Sequence, residues 1–309
     1  MGIVSIVLPT YNGEKFIKYA LDSIIAQTYS NWELIIVNDC STDNTLEIVN
    51  EYAAKDNRIK VVTNDVNLKI AKSLNKGFSL ATGNYWTWTS DDNYYLPTAI
   101  EKMVNYLDEH PSDMMVYADY VKKDEVNNYE EKESLDISPL ALLKQCVCGP
   151  CFLYRREVAL AVGEYDYNIP LAQDYDYWMR MYLHGNIAHL PESLYVYRFH
   201  KDCLSCTATK QVGDEDGIVK DKYEAIYAER FPETASYVKA RSLLKKYELS
   251  GDVSVLISLE NEYTKKFLYS QYKKKYKSLH NHNFIKAIYH LGLIYRLKGF
   301  LFYLAQRSK

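Results

Sequence analysis

Over the first 120 residues, short apolar runs alternate with segments of helical spacing. Residues 3–8 form a continuous apolar run bounded by Pro9, as expected of a strand buried on both faces. Residues 14–27 place Phe16, Ala20, Ile24 and Gln27 on one side, with Leu21 and Ile25 beside them, which predicts a helix. The same alternation predicts strands over 33–37, 59–63, 85–89 and 114–118, and helices over 43–54, 71–80 and 97–110. Ser41 or Thr42 is placed to cap the second helix, and Pro97 opens the fourth, where a first-turn proline is tolerated. This rhythm predicts an α/β fold with a mostly parallel sheet flanked by helices. Residues 122–136 are mainly acidic and read as an exposed hairpin or loop. Apolar content returns over 140–154 and around Trp178, and a last strand-like run closes at 195–199. Beyond Lys210 the pattern becomes helical and basic, without an internal repeat.

In parallel sheets, ligands bind at the carboxyl ends of the strands. Polar residues stand at those ends here: Thr10, Tyr11 and Asn12; then Asn38 and Asp39; then Asp91 and Asp92. Adjacent carboxylates repel, so a fold keeps such a pair where something positive compensates it. A hard divalent cation bridging phosphate oxygens suits Asp91-Asp92, since Mg²⁺ is commonly held by one or two carboxylates plus substrate phosphates.

The bulk composition, 48% hydrophobic and 25% charged, is that of a globular protein. Tyrosine is abundant at 30 residues against 9 phenylalanines, which suits stacking sites and wet pockets. The formal charge of −3 hides an asymmetry: residues 210–309 hold 19 Lys and Arg against 11 Asp and Glu, and residues 263–309 hold 11 basic residues and no acidic one. That marks a domain change. No signal peptide or spanning apolar run is visible, which predicts a cytoplasmic protein with six reduced cysteines.

The segments 4–12 (VSIVLPTYN), 38–43 (NDCSTD) and 89–93 (TSDDN) resemble, in order and spacing, the family 2 glycosyltransferases with the GT-A fold, across about residues 1–205. The resemblance implies a Rossmann-like sheet, an inverting sugar transfer from a nucleotide-sugar donor, and Mn²⁺ or Mg²⁺ as cofactor. It makes 1–209 the catalytic domain, with 1–120 its nucleotide-sugar half and 138–209 its acceptor half, and leaves 210–309 as a basic helical extension. Pro9, Thr10, Tyr11, Asn12 and Asp39 would line the nucleotide pocket. Tyr11 offers an aromatic face to a pyrimidine and Asp39 an acceptor for an imide N–H, which favours a UDP-sugar. Asp91 would lie near the ribose and metal, and Asp92 would ligate the metal. Two departures stand out: Thr89 occupies a position where many relatives carry a carboxylate, and Lys69 and Leu74 replace a common Gly and Arg. A phosphate-facing cation would then come from Lys69 or Lys72.

In the second half, 173–180 (QDYDYWMR) resembles the family's acidic motif, which makes Asp174 the general base and Asp176 its fallback, with Gln173 where relatives often carry Glu. Trp178 and Arg180 would orient this segment on the acceptor side. Gly149 resembles a glycine beside the acceptor, where a missing side chain lets the sugar approach. In 197–200 (YRFH), His200 would approach the metal or diphosphate. The acceptor implied is a glycan or a lipid-linked glycan.

Cys146, Cys148 and Cys151, and the Cys203/Cys206 pair, invite a zinc reading, but buried small hydrophobes account better for the first cluster. In the tail, Leu268, Tyr272 and Tyr276 interleave with lysines, which predicts a peripheral contact with an anionic membrane or, alternatively, packing on protein as in a homo-oligomer. Nucleic acid binding lacks a reading motif. Two rival functions are a sugar nucleotidyltransferase and a catalytically silent assembly subunit. The first needs a Gly-rich phosphate loop where Pro9-Thr10-Tyr11-Asn12-Gly13 stands; the second is suggested by Gln173, Lys69 and Leu74.

Overall fold

The computed structural model describes residues 2–250. The predicted rhythm is present as β1 (Val4–Thr10), α1 (Ile17–Ile25), β2 (Trp32–Asn38), α2 (Thr45–Ala53), β3 (Ile59–Thr63), α3 (Lys69–Ser79), β4 (Tyr85–Trp88), β5 (Tyr94–Tyr95) and α4 (Ala99–Glu109). There follow β6 (Asp113–Asp124), β7 (Tyr129–Glu133), α5 (Pro139–Lys144), β8 (Phe152–Arg155), α6 (Arg156–Val162), α7 (Gln173–His184), β9 (Asn186–Phe199), α8 (Leu204–Thr207) and α9 (Thr209–Arg230). A 3₁₀ turn, Pro232–Thr234, leads to α10 (Ala235–Ser250).

The strands form one sheet in the order β3-β2-β1-β4-β8-β6-β9-β5, with β7 paired to β6. Its first four strands are parallel, as the sequence predicts. The other half is mixed: β8 runs antiparallel to β4 and β6, β6 is parallel to β9, and β5 is antiparallel to β9. β1 lies between β2 and β4 and is buried along its whole length, which is why its sequence is mostly apolar, with Ser5 and Thr10 hydrogen-bonded through their hydroxyls. One face of the sheet packs Val4, Ile6, Leu8, Leu34 and Ile36 against α1 and α4. On α3, Gly77 closes on the sheet so tightly that a Cβ there would lie 2.4 Å from Val7 Cγ1. The acidic segment 122–136 is a hairpin, the end of β6 turning into β7.

At the end of the parallel strands away from the candidate site, Glu33 ties the sheet together. Its carboxylate accepts from Ser5 Oγ (2.7 Å), Lys60 Nζ (2.9 Å), and both the N–H (2.6 Å) and hydroxyl (2.8 Å) of Thr82. Burial by itself would raise its proton affinity, but these donors outweigh it and hold the group down at about 2. A depressed carboxyl contributes stability above its unfolded value and loses it as pH falls through the folded one, so this contribution should fade between about pH 4.5 and 2. Glu33→Gln should cost about 1–3 kcal/mol at pH 7, because the amide oxygen can still accept from Ser5 and Thr82 but its NH₂ group faces Lys60 and the charge that strengthens all four bonds is lost. It should also flatten that acidic stretch of the stability curve. Urea denaturation across pH checks both.

The chain divides into two compact units within α9, between Tyr227 and Ala228. In the first unit α9 buries Val219, Tyr223 and Tyr227, so the chain continues as part of that unit past the charge change near residue 210. The second unit contributes the 3₁₀ turn and α10 to the described residues. The aromatic and basic tail read as a membrane or subunit contact, 263–309, lies outside the described residues. Among the described residues, no helix is long and apolar enough to cross a membrane.

Candidate active site

The carboxyl ends of β1, β2 and β4 lie side by side, because Thr10 is in register with Asn38, and Val7 with Trp88. Pro9 lies beyond the β1–β4 pairing, so its missing N–H leaves no ladder bond unmade. From Thr10, the hydroxyl donates to Asp91 Oδ2 at 2.5 Å. Tyr11 is 49% exposed, leaving its ring face open at the rim. The neighbouring Asn12 has φ +55° and is spent on structure: its N–H donates to Ser41 Oγ and its Oδ1 accepts from the Thr42 N–H at 2.8 Å. This links the loops after β1 and β2. Ser41 and Thr42 therefore do not cap α2. That work falls to Asp43, whose Oδ1 accepts from the N–H (3.0 Å) and hydroxyl of Thr45.

Asp39 is buried and accepts from Asn64 Nδ2 (2.8 Å) and from the N–H groups of Leu68 (2.7 Å) and Lys69 (2.8 Å). Three donors use most of the carboxylate's roughly four acceptor sites. Its evident duty is to hold the 64–69 turn, with about one direction left for a ligand. Lys69 takes φ +69°, the left-handed region that favours glycine, which fits the Gly that the family resemblance leads one to expect here. The Lys69 side chain is exposed, and Lys72 Nζ lies 4.8 Å from the centre of the Tyr167 ring. Leu74 is fully buried in the core.

Asp91 and Asp92 turn the chain after β4. Burial and the neighbouring Asp92 push the Asp91 carboxyl up to about 7, against the bonds from Thr10 and the Tyr11 backbone. Gly13 makes room for this arrangement: a Cβ on it would fall 2.3 Å from Asp91 Oδ2 and 2.7 Å from Thr10 Oγ1. Thr89 is buried with its hydroxyl on that of Tyr195, so it offers no counterpart to the carboxylate that the family resemblance leads one to expect here. Asn93 Oδ1 accepts from the Arg198 N–H at 2.7 Å and thereby fixes the Asp91-Asp92 turn to the end of β9. His200 follows, 108 residues away in sequence, and its Nε2 reaches Asp92 Oδ2 at 3.2 Å.

Among the described residues, no three His, Cys, Asp or Glu side chains converge on one metal position. Yet Asp92 Oδ1 and His200 Nδ1 are buried without a hydrogen-bond partner, and Asp91 is a carboxyl raised by a like charge. This donor set fits a hard cation completed by phosphate oxygens, and does not fit a cage made of protein alone.

Asp174 stands in the first turn of α7. Its Oδ1 accepts from the Tyr175 N–H (2.7 Å), and among the described residues no ion pair holds it. Burial pushes its carboxyl up to about 6, helped by Asp216 and opposed by the Tyr175 bond. Asp176, the fallback base, is fully buried and bound by Arg180 Nε (2.9 Å), Lys222 Nζ (2.7 Å) and Tyr223 OH (2.9 Å). It is a structural ion-pair centre with no access to a substrate. Trp178 is fully buried too, edge-on to Phe152 at 4.6 Å, so it supports α7 from beneath and cannot touch an acceptor. Gln173 is buried with its Oε1 unpartnered. Gly149 has φ +62°, and a Cβ on it would meet the Tyr120 ring at 2.7 Å. Its bareness is thus accounted for by backbone geometry and by Tyr120, not by open space for a sugar. Cys148 and Cys151 are fully buried and Cys146 partly so, and burial raises all three thiols.

Two groups stand apart: hydrogen bonds and close packing join Thr10, Gly13, Asp91, Asp92 and His200, while Asp174 lies within electrostatic reach of Tyr165, Cys146, Cys148 and Asp216. A bond from Trp88 Nε1 to Tyr165 OH (3.1 Å) joins them, and Tyr165 stacks on Tyr177 of α7 at 4.0 Å. The tyrosine excess finds a use in this seam between sheet and α7. Gly13 and Asn93 stand in the quoted motifs without a site role, and Tyr165 was not singled out from the sequence. Gly13, three residues after the strand-end Thr10, is the one a motif reading could have found.

Residues 5–163 match the profile of Glycosyl transferase family 2. The chain belongs to that family. A glycosyltransferase of Haemophilus influenzae is 30% identical over 310 residues, covering 94% of this chain and 92% of that one. The crystal structure of S. aureus TarS superposes with a TM-score of 0.59 at 22% identity, over 85% of this chain and 50% of TarS. TarS residues 1–349 have also been solved with UDP-GlcNAc. The mannosyltransferase PcManGT of Pyrobaculum calidifontis, solved with GDP-Man and Mn²⁺, gives 0.53 at 18% identity, over 87% of this chain and 83% of that one. The α/β architecture of the transferase is therefore the GT-A fold. Asp174, His200 and α9 lie beyond the segment that the family profile covers.

Proposed function

We propose that this glycosyltransferase is inverting and metal-dependent. It moves a sugar from a nucleotide-sugar, with a UDP-sugar favoured, to a hydroxyl of a glycan or lipid-linked acceptor during synthesis of cell-surface polysaccharide or glycolipid. The observation that carries this reading is the pair of contrasting carboxyl environments. Asp91 and Asp92 crowd together beside Thr10 and His200, with Asp92 Oδ1 and His200 Nδ1 buried and unpartnered, whereas Asp174 stands apart on α7, bound by the Tyr175 N–H and, among the described residues, by no ion pair. Two acids and an imidazole facing one space suit a cation, and a lone carboxyl elsewhere suits proton transfer.

The open ring of Tyr11 and the remaining acceptor direction of Asp39 support a uracil at the rim. Mn²⁺ or Mg²⁺, held by Asp92 with Asp91 and His200, would supply Lewis-acid stabilisation of the departing diphosphate. Asp174 takes the proton from the acceptor hydroxyl as that oxygen attacks the anomeric carbon from the face opposite the nucleotide. A single displacement of this kind inverts the configuration. The acid-free, basic stretch 263–309 supports a peripheral position on an anionic membrane surface.

Asp92→Ala should abolish transfer while the protein stays folded. With Mn²⁺ or Mg²⁺ present, a UDP-sugar at 100 times its Kd should stabilise the wild type by about 2.7 kcal/mol, and the variant should lose most of that gain. Thermal melts alongside a UDP-release assay measure both, and full transfer by Asp92→Ala would refute the assignment.

A further inference from the structure

The helix α9 runs beside α7 in the same direction, and a series of side-chain bonds fixes their register. Glu215 Oε2 accepts from the Leu171 N–H at 2.7 Å, Lys222 and Tyr223 reach Asp176 at 2.7 and 2.9 Å, and Tyr227 OH donates to the Met179 carbonyl at 3.0 Å. Buried Val219, Tyr223 and Tyr227 mark the face that α9 turns inward. Asp216 lies on that same face, one turn before Val219, since residues three and four apart share a helix side. The register places it level with the start of α7, where Asp174 stands.

We propose that Asp216 is a positioning residue for sugar transfer, acting through Asp174 from a helix outside the family-matched segment. The physical case is one of opposed fields. Asp174 occupies the first turn of α7, where the helix dipole favours an anion. The Tyr175 N–H favours the anion as well. A base held by those two influences alone would be a weak proton acceptor. Partial burial and the charge of Asp216 act the other way.

The remaining groups near Asp174 do not supply this effect. Cys146 and Cys148 carry thiols raised far above neutrality by burial, and the Tyr165 phenol is raised likewise, so all three are uncharged at working pH. On α7 itself, the charge of Asp176 is matched by Arg180 and Lys222. On α9, Glu215 is engaged by the Leu171 N–H, and Lys220, over the Tyr175 ring at 5.7 Å, partly offsets the burial that raises the Asp216 carboxyl. Asp216 is therefore the acid left to act on Asp174. The inference rests on Asp174 being the general base.

The test follows the Asp174 carboxyl directly, in full-length protein carrying ¹³Cγ-aspartate, with its resonance assigned by its absence in Asp174→Asn. In the wild type the midpoint should lie near 6. Asp216→Asn should lower it by about 0.5–1 pH unit, the scale of one charge acting across a partly solvated gap. Asp216→Ser should do the same, and Asp216→Glu should leave it near the wild-type value. In transfer assays the acidic limb of Asp216→Asn should extend to lower pH, while donor KM changes little. A merely structural role would shift melting temperature and leave the midpoint in place. A midpoint unmoved by Asp216→Asn and Asp216→Ser overturns the inference whatever Asp174→Asn does. Full transfer by Asp174→Asn overturns the reading on which it rests.

Discussion

Asp174→Asn should lower kcat for sugar transfer by about 10²–10⁴-fold, the range one general base contributes, with nucleotide-sugar binding close to that of the wild type. The amide keeps the size of the side chain and its bond from the Tyr175 N–H but cannot take a proton from the acceptor. Two pH trends distinguish this position from a structural acid. Because burial and Asp216 raise the carboxyl to about 6, base action requires the ionised form and wild-type transfer should fall as pH drops through that value. Stability runs the opposite way. A carboxyl raised above its unfolded value is favoured in its protonated form by the fold, so its favourable contribution is complete below about 3.8 and lost as pH rises through 6. The Asn variant should therefore match or exceed wild-type stability at pH 7 while being inactive. Steady-state kinetics and urea denaturation at pH 5 and 7.5 measure both trends. Wild-type rates in the variant would remove Asp174 from the mechanism.

The second large effect should come from a residue with no chemistry of its own. Gly13→Ala puts a methyl group 2.3 Å from Asp91 Oδ2 and 2.9 Å from its Cγ, distances that real contacts do not allow. Either Asp91 moves by about 1 Å or the loop after β1 does, and misplacement on that scale typically costs about 10²-fold in rate. The loss should appear in transfer and in UDP-sugar affinity together, because Thr10 is displaced with Asp91. Melting temperature should change little, since Gly13 is only partly buried and starts α1 through its carbonyl, which accepts from the Phe16 and Ile17 N–H groups. Kinetics with the Ala variant decide the point: unchanged rates would mean that Asp91 need not sit where Thr10 holds it.

Much of the parallel half of the sheet, with the polar residues at its strand ends, was legible before the fold was known, for a physical reason. Strands buried on both faces must be mostly apolar, so β1 and β2 announce themselves despite Ser5 and Glu33, and the polar residues that end them, Thr10 and Asp39, are adjacent to those runs. The same logic underestimated β9, which spans 14 residues although only its last five read as a strand. Its earlier residues, such as His189, Pro191 and Glu192, break the apolar pattern at the rim of the mixed half of the sheet. The capping of α2 was misassigned to Ser41 or Thr42, because Ser41 is claimed by the Asn12 N–H, a partner 29 residues away.

What the chain determined locally, then, is the alternation of elements, the parallel half of the sheet, the paired acids at the end of β4 and the acidic motif opening α7. These depend on periodicity and on neighbours a few residues apart. Only the tertiary structure decided which acid of that motif is spent and which is available: Asp176 is neutralised by Arg180 and by Lys222 and Tyr223 from α9, while Asp174 is left to titrate. The same holds for the meeting of His200 with Asp92, for Gly13 as the space in which Asp91 sits, and for Gly149 as the space taken by Tyr120. Burial and electrostatic pairing are sums over groups far apart in sequence, and no local pattern contains them.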